Sequence, residues 1–294
     1  MADEDPVVAR RHLRLQLKSL RKDRDETVVQ AAGALDWSHS KLVRIEQGEV
    51  GISPTDLRAL LAHYGVTDPD AVAAYVQQAK LSRRQPYAEY SDVIGRESRN
   101  FFLLQERSIA FLQFDPVLIP GLLQTEGYAR AVITAFRGPQ EPHISQFIDA
   151  RLERQEKVLG RSSGPEMHVV LDESALRRGV GTAPGRNDVM PGQLRHLREL
   201  SRHPRVHMQI APYSVGIYAG LRAPFVILEL PANEPGGSES VLYLETRKDM
   251  VPQDKVEDLA EHTSFFYDLQ QLSLPEDETV PFLDRVLAEI TPAV

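Results

Sequence analysis

At 294 residues, with 42% apolar and 26% charged side chains, the chain is long enough for two domains with real cores. It contains no cysteine, which excludes disulfides, thiolate zinc sites and a cysteine nucleophile. No run approaches the roughly 18 apolar residues of a membrane helix, and the opening "MADEDP" is acidic where a signal peptide is basic and then apolar; a soluble cytoplasmic protein with no membrane partner is expected. The net charge of −8 divides unevenly: residues 1–84 carry 13 Lys/Arg against 12 Asp/Glu, the remainder 21 against 30. Within the first part, "RRHLRLQLKSLRKDR" (10–24) holds seven basic side chains and one acidic one. Such a segment is either a nucleic-acid footprint or a merely solvated helix face.

In chain order, Leu13, Leu17 and Leu20 recur at helical spacing and predict a helix over about 6–24. Thr27 followed by Gln30 has the form of a capping box opening a short second helix, "TVVQAAGAL", which Asp36 and Trp37 end. Ser38 then caps a third helix running to Gly48, where a left-handed end is expected. Ser53-Pro54 and Asp68-Pro69 open a fourth helix ending at Gly65 and a fifth over 68–80. The polar stretch "LSRRQPY" (81–87) places a domain boundary there, giving domains 1–84 and 85–294. Beyond it, helical stretches at about 92–108, 124–136 and 144–160 precede β-rich runs "MHVVL" (167–171), "VHMQIA" (206–211), "FVILEL" (225–230) and "VLYLE" (241–245). Helices return at about 191–201, 252–271 and 278–290. The fold class expected is a mainly α, five-helix N-terminal domain followed by an α+β domain with a small mixed or antiparallel sheet of about four strands.

The third helix has two distinct sides. At 100° per residue Leu42 and Ile45 lie together, while Ser40, Val43, Arg44 and Gln47 cluster opposite, with His39 at their edge. The outward set is small, polar and basic, suited to a helix entering a major groove, where Arg44 could pair with guanine O6 and N7 and Ser40 and His39 could reach other base edges. A short helix and a tight turn precede it, which is helix-turn-helix order.

Residues 20–48, "LRKDRDETVVQAAGALDWSHSKLVRIEQG", resemble the helix-turn-helix of the XRE family, which includes the lambdoid phage repressors. The resemblance implies a lambda-repressor-like domain binding double-stranded DNA. Ser38, His39, Ser40 and Arg44 would take base-facing positions, Gln47 would lie near a phosphate, and Lys41 and Thr27 complete the candidate DNA-contacting set. It further implies a structural ion pair between Arg21 and Glu46. The chain departs from the family where Asp25 replaces the usual Gly, Glu26 an apolar residue, and Val28 a backbone-contacting Gln; Asp tolerates left-handed geometry, so the turn can survive. One helix covers few base pairs, so a homodimer on a two-fold-related operator is expected.

In the second domain "PVLIPGLLQTEGYARAV" (116–132) offers Leu122, Leu123, Tyr128, Ala129 and Val132 for burial. "PGLLQT", "ARLERQ" (150–155), "VLDESALRRGVG" (170–181) and "VLYLE" resemble the C-terminal domain of an actinobacterial, antitoxin-like group of XRE-type regulators. That resemblance implies a small partner protein encoded nearby, with dimerisation or ligand sensing as the other roles for the domain. Nothing indicates an enzyme or a cofactor. Asp172 and Glu173 fit an N-cap and first turn better than catalytic carboxylates. "GVGTAPG" (179–185) lacks phosphate-loop spacing, Pro204 separates His203 from His207, and the nine histidines form no metal signature.

Overall fold

The computed structural model describes residues 6–48, 50–82, 87–181, 189–218, 221, 223–231, 238–246 and 249–290. The chain divides into two compact units, Met1–Ala88 and Glu89–Val294.

The first unit is built from α1 (Pro6–Asp23), α2 (Val28–Ala34), α3 (His39–Glu46), α4 (Pro54–His63) and α5 (Pro69–Leu81). Side-chain oxygens of Thr27, Ser38, Ser53 and Asp68 cap α2 to α5, accepting from the amides of Gln30, Lys41, Asp56 and Ala71. Each cap satisfies a donor that the helix cannot, and fixes where it starts. Leu13 and Leu17 of α1, Ala31 and Ala32 of α2, Leu42 and Ile45 of α3, and Leu57, Leu60 and Leu61 of α4 close into one core, against which Leu20 and Trp37 pack. Two of the connecting turns use left-handed aspartates, Asp25 (φ 53°) and Asp36 (φ 54°). The Gly commonly found at the first of these positions is therefore replaced without loss of the turn, at the modest cost Asp carries in that region.

The second unit centres on a sheet of six strands where the sequence suggests about four. These are β1 (Ala110–Asp115), β2 (Glu166–Asp172), β3 (Val206–Ala211), β4 (Phe225–Pro231), β5 (Ser238–Glu245) and β6 (Met250–Gln253), in the order β3-β2-β1-β4-β5-β6. The sheet is mixed: β1, β2 and β3 run parallel, and β4, β5 and β6 add antiparallel. The additional strands are β1 and β6. Inward-facing Gln113 and Asp115 break the apolar alternation of β1, and β6 is four residues containing Pro252 at the sheet edge.

The parallel strands are joined as such strands must be, through helices. After α6 (Arg96–Arg107) and β1, α7 (Glu126–Arg137) and α8 (Ile144–Leu159) lead to β2; α9 (Glu173–Arg177) and α10 (Val189–Leu200) lead to β3. On one sheet face Leu112, Phe114, Val170, Phe225, Ile227 and Leu242 pack against Phe266 and Leu269 of α11 (Val256–Leu272). On the other face Phe101 of α6 meets Tyr243 at 5.0 Å between ring centres. The outer edge of β3 is covered: the Leu274 amide donates to Ile210 O (2.8 Å), and the Thr279 hydroxyl, at the start of α12 (Thr279–Ile290), to Met208 O (2.6 Å).

The segment "PGLLQT" is a 3-10 turn, Gly121–Leu123, whose backbone is satisfied by distant glutamines. Gln155 of α8 donates to Gly121 O (2.7 Å) and Gln124 O (2.8 Å), and Gln193 of α10 donates to Leu123 O (2.7 Å) while accepting from the Thr125 amide (2.7 Å). Leu122, Leu123, Tyr128, Ala129 and Val132 are buried. Asp172 caps α9 through the Ser174 amide (2.8 Å), and Glu173 pairs with Arg177 (2.5 Å) and accepts from the Tyr213 amide (2.8 Å). Both carboxylates thus have structural partners. Of "GVGTAPG", residues 182–185 lie outside the described residues.

Candidate nucleic-acid interface

The position of α3 is set from beneath by Leu42 and Ile45, and at its end by a buried ion pair. Arg21 Nε meets Glu46 Oε1 at 2.7 Å and Arg21 Nη2 meets Glu46 Oε2 at 2.9 Å, a bidentate pair joining α1 to α3 with each residue 8% exposed. Arg21 Nη1 also donates to Glu26 O (2.7 Å), tying the turn before α2 into the same network. The hydrogen bond it donates to Glu46 is the main reason the Arg21 guanidinium holds its proton above the usual arginine value.

Above this base His39, Ser40, Arg44 and Gln47 are exposed on α3, while Val43 is half-buried rather than fully outward. Ser38, itself exposed, caps the helix by accepting from the Lys41 amide (3.2 Å). The Gln47 carbonyl accepts from Arg14 Nη1 (3.2 Å), fastening the end of α3 to α1. Gly48 follows at φ +76°, the left-handed end expected there. Thr27 lies apart from this group at the start of α2, where its amide donates to Gln30 Oε1 (2.8 Å) and its hydroxyl accepts from the Gln30 amide (3.3 Å).

Lys41 is held from within the unit. Its Nζ pairs with Asp56 Oδ1 at 2.9 Å and lies 3.9 Å from the centre of the Trp37 ring, so its charge is already matched within the unit. That pairing is the main cause of the lowered carboxyl of Asp56. Arg10, of the basic first helix, donates from Nε and Nη2 to Ser82 O (3.0 and 2.5 Å), at the end of α5. Part of the positive charge of α1 therefore stitches the bundle.

Glu26, a charged residue at a position expected to be apolar, has partners from two directions: His63 Nε2 at 2.7 Å and Arg24 Nε at 3.1 Å. The hydrogen bond from His63 is the chief reason its carboxyl is held below the usual glutamate value. His63 and Asp56, both on α4, are the residues here that local pattern could not reveal, since their partners are 37 and 15 positions away.

Helices α2 and α3, joined by the Asp36 turn and locked on α1, have the form of a helix-turn-helix, the class of module that binds DNA and by which transcription regulators act. Residues 12–75 match a family described as a helix-turn-helix domain. Residues 98–285 match a second family, described as a domain of unknown function (DUF5753), over more than half of the chain, and the chain belongs to that family. No curated protein and no solved structure matches it. Among the described residues no helix is long and apolar enough to cross a membrane, and no group of His, Asp or Glu could hold a metal ion.

Proposed function

We propose that the chain is a sequence-specific, DNA-binding transcriptional regulator of the XRE type. Helix α3 enters the major groove with His39, Ser40 and Arg44 toward base edges, Ser38 at the groove wall, and Gln47 and Thr27 toward phosphates. The observation that carries this reading is the split of α3 into a buried side, Leu42, Ile45 and Glu46, and an exposed polar side bearing the long cation Arg44. Lys41, held by Asp56, contributes to the shape of the surface more than to base contact. The protein acts as a homodimer on a two-fold-related operator, because one such helix reads too few base pairs for specificity. The second unit provides dimerisation, partner binding or ligand sensing and no catalysis.

The test is binding to DNA from the promoter of its own gene. Arg44→Ala is expected to cost about 1–3 kcal/mol, a loss of about 5- to 150-fold, and to relax preference at one base position. Unchanged affinity and preference would remove Arg44 from the reading surface. The resemblance to antitoxin-like regulators supports a second use of the same chain, sequestering a small partner encoded nearby. Co-expression of the two chains tests it, and failure to associate at micromolar concentration would dismiss it.

A further inference from the structure

Three segments distant in sequence, "PGLLQT", "ARLERQ" and "VLYLE", converge on one end of the six-stranded sheet. Gln113, Val226 and Tyr243 stand in one row across β1, β4 and β5. Side chains alternate along a strand, so Asp115 and Glu245, each two residues further on, face the same side, two strands or about 10 Å apart. They lie where the parallel strands end and where the chain, having added β2 and β3 to one side of β1, adds β4 to the other. Such a reversal leaves a crevice outside the strand ends. Arg151 and Arg154 of α8 come close over Gly121: a Cβ there would stand 3.0 Å from Arg154 Nη2 and 3.6 Å from Arg151 Cζ.

One buried polar atom in this recess lacks the partner that such groups normally find, and two charged side chains beside it keep unpaired edges. Asp115 Oδ2 accepts from Gln113 Nε2 (2.7 Å), yet the buried Gln113 Oε1 has no hydrogen-bond partner among the described residues; both side chains belong to residues only 8% exposed. Arg151 donates from Nη1 to Gln124 Oε1, and no described residue accepts from its Nε or Nη2. Glu245 is exposed and makes no hydrogen bond or ion pair with a described residue. Even so, desolvation is the first cause pushing its carboxyl up, as it is for Asp115, and it pulls the Arg151 guanidinium down.

We propose that this recess binds a small zwitterion such as an α-amino acid, its carboxylate on the open Nε/Nη2 edge of Arg151 and its ammonium toward Asp115, Glu245 and the Gln113 carbonyl oxygen. A simple anion would bring negative charge beside two carboxyls and leave Gln113 unsatisfied, and a simple cation would come near Arg154, which already draws both carboxyls down, and would leave Arg151 open. A zwitterion answers both sets at once. The inference deepens the reading of the second unit as a sensor, but the binding is measured without DNA.

The experiment uses the full-length protein with each α-amino acid in turn at millimolar concentration, and with sodium acetate and ethylammonium chloride as the half-charged controls. At least one amino acid, at about a hundredfold its Kd, is expected to raise the melting of the second unit by about 5 °C or more, while neither control does. In titration calorimetry Arg151→Gln and Glu245→Gln are each expected to weaken that amino acid about tenfold or more. Glu245→Gln changes an exposed side chain without changing its shape, so it decides the matter if Arg151→Gln does not fold. No shift with any amino acid, an equal shift with acetate alone, or undiminished affinity in Glu245→Gln would overturn the proposal. None of these results bears on whether α3 binds DNA, and loss of DNA binding would leave them as they are.

Discussion

Removing one partner of the Arg21–Glu46 pair should harm the first unit more than removing both. The two side chains meet through hydrogen bonds of 2.7 and 2.9 Å in a place where each residue is 8% exposed, so either charge left alone is both desolvated and unpaired. Breaking such a pair costs about 3–5 kcal/mol, whereas exchanging both members for apolar groups of similar volume is often near neutral. Arg21→Met and Glu46→Leu are therefore each expected to lower the melting temperature of the first unit by about 12 °C or more, from about 4–8 °C per kcal/mol for a domain of this size. The double variant should melt above either single one, although it still forfeits the bond from Arg21 to Glu26 O. Trp37 is the only tryptophan in the chain and packs on the core of the first unit, so its fluorescence on heating follows that unit without interference from the other. Single variants costing under about 1 kcal/mol, or a double variant losing the sum of the singles, would refute the argument, since exposed pairs behave in that way.

Two further outcomes concern the same unit. The Glu26 carboxyl is held below its usual value chiefly by His63, so the unfolded chain binds the proton more readily than the folded one. The contribution is then fully present above the usual glutamate pKa and is lost as pH falls through the lowered folded value. The urea midpoint followed by Trp37 should drop across that acidic window, and Glu26→Gln should remove this part of the drop; an identical pH profile in the variant would dismiss the pairing as a source of stability. Gly48→Ala places a Cβ at φ +76° and 3.2 Å from Arg14 Cδ. The arginine chain can yield but the backbone cannot, so a loss of about 1 kcal/mol is expected in the same melt, and no change would mean that the end of α3 tolerates a different geometry.

Much of the first unit is legible because its signals are local. Thr27, Ser38, Ser53 and Asp68 announce the helices within four residues of themselves, and Leu42 and Ile45 announce the buried side of α3. The illegible parts depend on residues remote in sequence. Glu26 reads as a misfit until His63 is seen beside it, and Lys41 reads as a free cation until Asp56 is. In the second unit β1 escapes notice because Gln113 and Asp115 occupy inward positions where an ordinary strand carries apolar residues. The same two residues form a buried hydrogen-bonded pair near the end of β1, so the feature that hid the strand is the one that places polar groups at the strand ends. Residues such as Asp249, which accepts from the Ser98 hydroxyl near the start of α6, leave no sequence trace at all, the two being 151 positions apart.

The central position of β1 also orders events in time. It is the first strand to leave the ribosome, yet its neighbours are β2, more than fifty residues later, and β4, more than a hundred residues later. Its edges stay open until both have been made, and long-range pairing of this sort is slow. The first unit, a compact unit whose core is made entirely from residues before β1, has by then been fully synthesised. A nascent or prematurely terminated chain would accordingly display a finished helix-turn-helix attached to an unfinished sheet. Cells making truncated forms would hold that helix-turn-helix unit without a completed second unit.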